Sequence, residues 1–425
     1  MKSIDAAILL KSKVDLKDQQ LHAGTLSFDL TRFEHVYVIG GGKAAGSMAQ
    51  ALEEVLGKHV TEGFVNVPHG DERKTSIIEL HAASHPIPDE AGAEGTRRIL
   101  EIAEKAGEHD LAIVLISGGG SSLMPMPREG VSLRDKRELT ERLLKSGANI
   151  KEINAVRKHL SSFKGGWLAK KAYPATVLNL IISDVVGDSL GSVASGPTVP
   201  DPTTFADARR VLERHSLWEH APRSIREMIS DGEKSLVAET PKAGDACFEK
   251  VFSVVLGNGR SAAFAAQEHL KAEGLNTVLL TSQLEGEAKT IGLVLSSIAM
   301  EIAASGNPVP RPAAIVACGE SVVTVRGAGS GGRNQELALS ASLGLRNAEG
   351  TVIASVSTDG VDGPTDAAGA IVDGNTVERA RSLGLDADRL LAENDSYGFF
   401  SALGDLILTG PTGTNVNDIS LIIVL

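Results

Sequence analysis

The chain has 425 residues, of which 42% are apolar and 23% charged, and a formal net charge of −12. That length predicts about two or three domains, and the composition is that of a globular protein able to bury real cores. The acidic balance excludes nucleic acid or an anionic membrane surface as the main partner, while a few local Lys and Arg residues can still hold a small anion. Cys247 and Cys318 are too few for a disulfide framework, and neither has zinc-ligand spacing nearby. The opening MKSIDAAILLKSKVDLKDQQ has too short an apolar core for a signal peptide. No apolar run reaches the roughly 18 residues of a membrane span, so a soluble cytoplasmic protein is expected, with no membrane and no nucleic acid among its partners.

Short β-branched runs recur at 35–43, 111–122, 176–191, 251–261, 313–321, 352–363 and 405–418, and most end in Gly, Ser, Asp or Asn. Continuous apolar strands of this kind are buried on both faces, as in a parallel sheet. Helical patterns alternate with them: residues 44–56 place Ala44, Met48, Ala51, Leu52 and Val55 on one face, and 261–272 and 288–304 behave alike. Alternating β and α units predict an α/β fold with right-handed crossovers. The polar stretch 231–246 lacks periodicity and is taken as the boundary. Two domains are expected: 1–240, a doubly wound, Rossmann-like parallel sheet, and 241–425, a smaller α/β domain with a mixed sheet.

In open α/β sheets ligands bind beyond the carboxyl ends of the strands, so the polar loops there are the candidates. Gly40-x-Gly42-x-x-Ala45 matches a degenerate dinucleotide fingerprint, but GFVNVPHG brings no acid to the end of the second strand for a ribose hydroxyl. What remains is Lys43 in the first turn of a helix, where N–H groups favour an anion. Ser117-Gly-Gly-Gly-Ser-Ser122 is a second strand-to-helix anion cradle; it breaks the Gly-x-Ser-x-Gly pattern of a serine hydrolase. The segment 154–159 sets Arg157, Lys158 and His159 together, either as an exposed basic helix or as a substrate contact. His85 is either catalytic or a loop hydrogen-bonder. Asp184 at a strand tip suits Mg²⁺ or a substrate proton, and SVASGPTVPDPTT after it suits a closing flap.

In the second half, Gly257-Asn258-Gly259 repeats the strand–turn–helix logic, and 357–366 offers Asp359, Asp362 and Asp366 beside glycines. The densest signal is at 317–336, where Gly327, Gly329, Gly331 and Gly332 strip a loop of Cβ atoms ahead of Arg333. Its N–H groups are expected to converge on an anion, with Arg333 adding a planar donor fork. Carboxylates, cations and glycine-lined loops together match phosphoryl transfer.

These residues resemble the class II glycerate kinases, whose C-terminal portion is the MOFRL domain (about 312–420 here). The matching segments are VIGGGKAAGSMA, LISGGGSSL, NAVRKHLSSFKGG, ISDVVGDSLGSVASGPTVPDPTT, GNGRSA, GAGSGGRNQE, STDGVDGPTDAAGA and TGPTGTNVND, nearly end to end and in family order. Relatives often carry a His where this chain has Pro411. The resemblance implies ATP- and Mg²⁺-dependent phosphorylation of D-glycerate, to 2-phosphoglycerate or, in some relatives, 3-phosphoglycerate. It puts Lys43 and Arg333 on the family's charged active-site positions in the interdomain cleft. On that basis Lys43, Arg333 and Asp184 are expected to be catalytic, and Ser121, Ser122, Gly119, Gly120 and Arg157 to hold glycerate. Gly257, Asn258, Gly329, Gly331, Gly332 and Asn334 are expected to line ATP, and Asp184 and Asp359 to hold Mg²⁺. The rivals are an NAD(P)H-dependent hydroxypyruvate reductase and a non-catalytic sensor of small phosphorylated acids. The oligomeric state is open, a homodimer being one option.

Overall fold

The computed structural model describes residues 2–345 and 347–425. Its strands are β1 (Val14–Lys17), β2 (Gln20–Ala23), β3 (Leu26–Asp29), β4 (His35–Gly41), β5 (Glu62–Pro68), β6 (Ile78–Ala83), β7 (Asp110–Ile116), β8 (Thr176–Ile182), β9 (Val251–Gly257), β10 (Asn276–Glu287), β11 (Ala313–Val322), β12 (Thr351–Ser357), β13 (Gly369–Asp373), β14 (Leu406–Ile407) and β15 (Asp418–Val424). The chain divides into two compact units. One comprises Ala6–Ser183 and Asp188–Leu256; the other comprises Gly257–Leu425 with Asp184–Gly187 and Met1–Asp5.

In the first unit a three-stranded meander, β1-β2-β3, precedes a six-stranded sheet ordered β6-β5-β4-β7-β8-β9. The pairs of β4 with β5 and β7, of β5 with β6 and of β7 with β8 are parallel. All seven residues of β7 are buried, as the unbroken run DLAIVLI requires of a central strand. The strand order reverses between β4 and β7, whose registered ends pair Gly41 with Ile116. The loops after these two strands therefore emerge side by side at the topological switch point. Four helices, Leu133–Lys145, Ile150–His159, Phe205–Arg214 and Arg223–Glu233, share a second core that includes Leu139, Leu143, Val156, Phe205 and Ile225.

The passage between the units lies at Leu256 and Gly257, later than the expected residue 240. The polar stretch folds back on the first unit: Arg128 Nη1 donates to the Ala238 carbonyl at 2.7 Å, and Asp201 N–H to Pro241 at 3.0 Å. The apolar run after it then becomes β9, the edge of the first sheet.

In the second unit the sheet is mixed, ordered β10-β11-β15-β12-β13-β14. β10 and β11 are parallel, and β15 is antiparallel to both of its neighbours. Contrary to the sequence expectation, the helix Ala288–Ser305 is long and apolar enough to cross a membrane by length and composition. It packs through Ile291, Leu295, Ala299 and Ile302 into one core with Leu337, Ile353 and Phe400, and leaves Leu293 and Val294 exposed.

Candidate active site

At the switch point, the Lys43 N–H donates to the Gly118 carbonyl at 2.8 Å and the Ala44 N–H to Ser117 Oγ at 3.0 Å. The two glycine loops are thereby locked together. Gly119 has φ +79°, and a Cβ there would lie 2.9 Å from the His85 ring and 3.1 Å from Lys43 Cγ. Glycine lets Lys43 and His85 close on the turn from two sides. His85, left open between catalysis and loop bonding, is thus part of this constellation.

Ser121 Oγ lies 2.8 Å from Ser195 Oγ, which donates to Asn154 Oδ1 at 3.0 Å. Ala194 and Ser195 hold φ of 49° and 61°, left-handed conformations uncommon for non-glycine residues. Of the segment 192–204, expected as a flap, residues 193–198 are instead buried and tied to Gly165, Gly166 and Leu168 by main-chain bonds of 2.8–3.1 Å. The helix Ile150–His159 is not an exposed basic helix either. Lys158 pairs with Asp201 at 3.3 Å in the interior, and His159 Nε2 meets Glu239 Oε1 at 2.7 Å. Burial would raise Glu239, but the hydrogen bond and charge of His159, with the N–H groups of Phe205 and Thr240, hold it down to about 2.

Ser121, Ser122 and Arg157 line one cavity of about 220 Å³, together with Lys136 and Lys164. The Gly120 N–H is bonded to the Ser117 carbonyl at 3.2 Å, closing the turn. The acid found missing after the second strand is present slightly beyond it, as Asp71. That side chain packs on Gly46 but is held by Arg73 at 2.9 Å. A polar residue past the end of β5 was the available signal, obscured by the intervening His-Gly turn.

In the second unit the first part of the glycine-dense loop is closed by bonds within the chain. The N–H groups of Arg326 and Gly327 go to Asn394 Oδ1, that of Gly329 to the Glu393 carbonyl, and that of Ser330 to Asp395 Oδ1. The helix Arg333–Gly344 begins on a built-in anion: Asp362 accepts the N–H of Asn334 at 3.1 Å and of Gln335 at 2.9 Å. Cβ atoms at Gly327, Gly329, Gly331 and Gly332 would strike Glu393, Asp395, Ser396 and Asp362 respectively. These glycines serve close packing. Asn334 is committed too, donating to Asp362 at 3.2 Å and accepting from Ser355 Oγ at 2.7 Å. Asn258 caps the helix Gly259–Ala272, with Oδ1 accepting the Ser261 N–H at 2.8 Å.

Arg333 meets Glu320, and donates from Nη2 to Asp418 Oδ1 at 3.0 Å. Its Nε lies 2.6 Å from Asp418 Oδ2, a charge contact without hydrogen-bond alignment. Burial pushes Asp418 up to about 6 although Arg333 opposes it. The same pairing keeps Arg333 above its ordinary range despite burial. Asp418 is in register with Gly319 on β11 and Ser357 on β12, so three strand tips meet at Arg333's partner.

Asn417, absent from the expected residues, joins the main chain of Asp184 to Thr358, the neighbour of Asp359. Its Nδ2 donates to the Asp184 carbonyl at 2.6 Å, and its own carbonyl accepts Thr358 Oγ1 at 2.6 Å. Asp359 Oδ1 accepts Ser357 Oγ at 2.7 Å and the Val361 N–H at 3.1 Å. The loop with Pro411 braces this turn, Thr412 donating to the carbonyls of Asp359 and Thr358 at 3.1 and 2.6 Å. Among the described residues no group of three or more His, Cys, Asp or Glu side chains forms a metal site.

Comparison with known proteins adds two family matches: a domain of unknown function, DUF4147, over residues 1–230, and the MOFRL family over 313–418. The chain is 46% identical over 390 residues to a glycerate 2-kinase of Pyrococcus horikoshii, covering 92% of this chain and 87% of that protein. It is 43% identical over 389 residues to an Agrobacterium vitis protein that bears, provisionally, a hydroxypyruvate reductase name; 91% of this chain and 86% of that one are covered. A crystal structure of a glycerate kinase from Thermotoga maritima matches with TM-score 0.86 and 41% identity, over 100% of this chain and 96% of the other.

Proposed function

We infer that this chain, which belongs to the class II glycerate kinase family, is a glycerate 2-kinase. It transfers the γ-phosphoryl group of ATP to the 2-hydroxyl of D-glycerate, giving 2-phosphoglycerate and ADP. The observation that carries the assignment of parts is the switch-point turn, where Lys43 and His85 close on Gly119 directly before Ser121 and Ser122. Lys43 there neutralises charge on the phosphoryl oxygens in transit, which is most of what phosphoryl transfer asks of a protein. Ser121, oriented through Ser195 and Asn154, holds the acceptor acid with Ser122 and Arg157. In the second unit we assign Arg333 to the nucleotide phosphates. Asp184 and Asp359 would hold Mg²⁺, which when bound neutralises phosphate charge.

The test is ³¹P NMR of the protein with D-glycerate, ATP and Mg²⁺, followed by enolase. A phosphoglycerate signal that enolase consumes without added mutase supports the 2-kinase. A signal that persists means the 3-phosphate. Silence, with NADH or NADPH oxidised by hydroxypyruvate, would establish the reductase that the Agrobacterium name suggests for its own protein.

A further inference from the structure

Lys136, Lys164 and Arg157 converge on the cavity of about 220 Å³ that Ser121 and Ser122 also line. Lys136 is 6% exposed and Lys164 1%. Lys164 Nζ donates to the Met124 carbonyl at 2.7 Å, whereas Lys136 Nζ has no hydrogen-bond partner among the described residues. Burial pushes Lys136 down to about 7, with the Arg157 charge adding to it. Lys164 is driven well below its ordinary range by burial, then by Lys136 and Arg157. Each of these groups thus makes charge on the others costlier, a cost that a bound anion would offset. Glu141 is the one carboxylate among the lining residues, and Lys145 already holds it at 2.7 Å on the surface.

A buried cation without a counter-charge is strongly unfavourable, and such groups persist where a ligand completes the balance. Leu133, Ile87 and Pro125 form an apolar wall beside these charges, and next to such a wall a charge pairing is stronger than in open water. We propose that this cavity is an anion subsite that takes the carboxylate of the acceptor acid, with Lys136, Lys164 and Arg157 as its counter-charges. This rests on the kinase assignment above. Lys136 and Lys164 then set the preference for an acid over a neutral polyol of the same length.

The test compares wild type with Lys136→Met, which keeps the chain length and removes the charge, and with Arg157→Gln at the half-buried rim. Thermal shift uses D-glycerate and glycerol as probes without nucleotide, so it reads binding independently of turnover. D-glycerate stabilises wild type and glycerol does not; equal shifts overturn the subsite. In Lys136→Met the ligand-free melting temperature holds or rises, the D-glycerate shift disappears, and KM for D-glycerate rises about tenfold or more while KM for ATP stays within about twofold. A merely structural lysine would lower the ligand-free melting temperature and move both KM values. If Lys136→Met does not fold, Arg157→Gln must show the same split between the two KM values. Wild-type KM for D-glycerate in the folded variants overturns the proposal. Binding of D-glycerate that is lost in Lys136→Met, without any phosphoglycerate formed by wild type, would sink the kinase assignment and leave the subsite standing.

Discussion

The Asp362 carboxylate accepts the N–H groups of Asn334 at 3.1 Å and Gln335 at 2.9 Å, so the helix that begins with Arg333 starts on an anion supplied by the chain itself. An aspartate in this position neutralises the helix N-terminus and fixes the direction from which Arg333 projects. Asp362→Ala strands those two N–H groups and the Asn334 side-chain amide, which donates to Asp362 at 3.2 Å, while the Gln335 amide keeps Thr365 as an acceptor at 3.0 Å. A loss of about 3 kcal/mol is expected in urea unfolding, and Asp362→Asn, which keeps one acceptor, should lose about 1 kcal/mol. Equal stability in Asp362→Ala would show that the helix does not depend on this cap.

Arg333 separates charge from geometry. Arg333→Ala leaves Asp418 buried without its cation and should cost about 3–5 kcal/mol. Arg333→Lys keeps the charge but not the planar fork, so kcat should fall about tenfold or more while the melting temperature drops less than in the alanine variant. Unchanged kcat in Arg333→Lys would remove the fork from the mechanism.

The Asp418 site has a signature in pH. Burial, against the pull of Arg333, raises its carboxyl from 3.8 to about 6 in the folded chain. The folded state therefore binds the proton more tightly than the unfolded state. Its contribution to stability is full below 3.8 and is lost as pH rises through about 6. Chemical denaturation of wild type and Asp418→Asn across this window should show wild type losing stability relative to the variant as pH rises. A constant difference between them would mean that Asp418 is not raised.

Gly119→Ala places a methyl group against the His85 ring and Lys43 Cγ at a φ of +79°. The backbone strain should cost about 1–2 kcal/mol, and displacement of Lys43 should lower kcat/KM by about 100-fold. Gly130→Ala is the control, with φ +82° and open space around the added methyl. It should show similar strain and near-normal turnover.

Lys43→Ala should reduce kcat by about 10²–10³-fold with the melting temperature nearly unchanged, because the main-chain bonds at Lys43 and Ala44 that tie the two loops together remain. Near-normal kcat would take Lys43 out of the reaction.

Residue order alone pointed to the apolar strands of the first sheet from β4 onward except β6, to β11 and β12, and to the loops at their ends, because buried parallel strands must be apolar throughout and the turns after them need glycine. The meander β1–β3 and the strands β10, β13 and β15 were not legible in it. DLAIVLI reads as a central strand with no tertiary information, and the motif order around Lys43, Ser121 and Arg333 pointed to phosphoryl transfer and to the family. What a glycine is for was decided by tertiary structure. A glycine that frees an N–H for a ligand and one that lets a neighbouring segment approach look alike in sequence, and only the packing of 393–396 against 327–331 separates them. The partners of Arg333, the Ser121–Ser195–Asn154 chain, the role of Asn417 and the buried Lys136 were equally hidden. Each joins residues far apart along the chain, and charge balance in a buried site is set by what folding brings together.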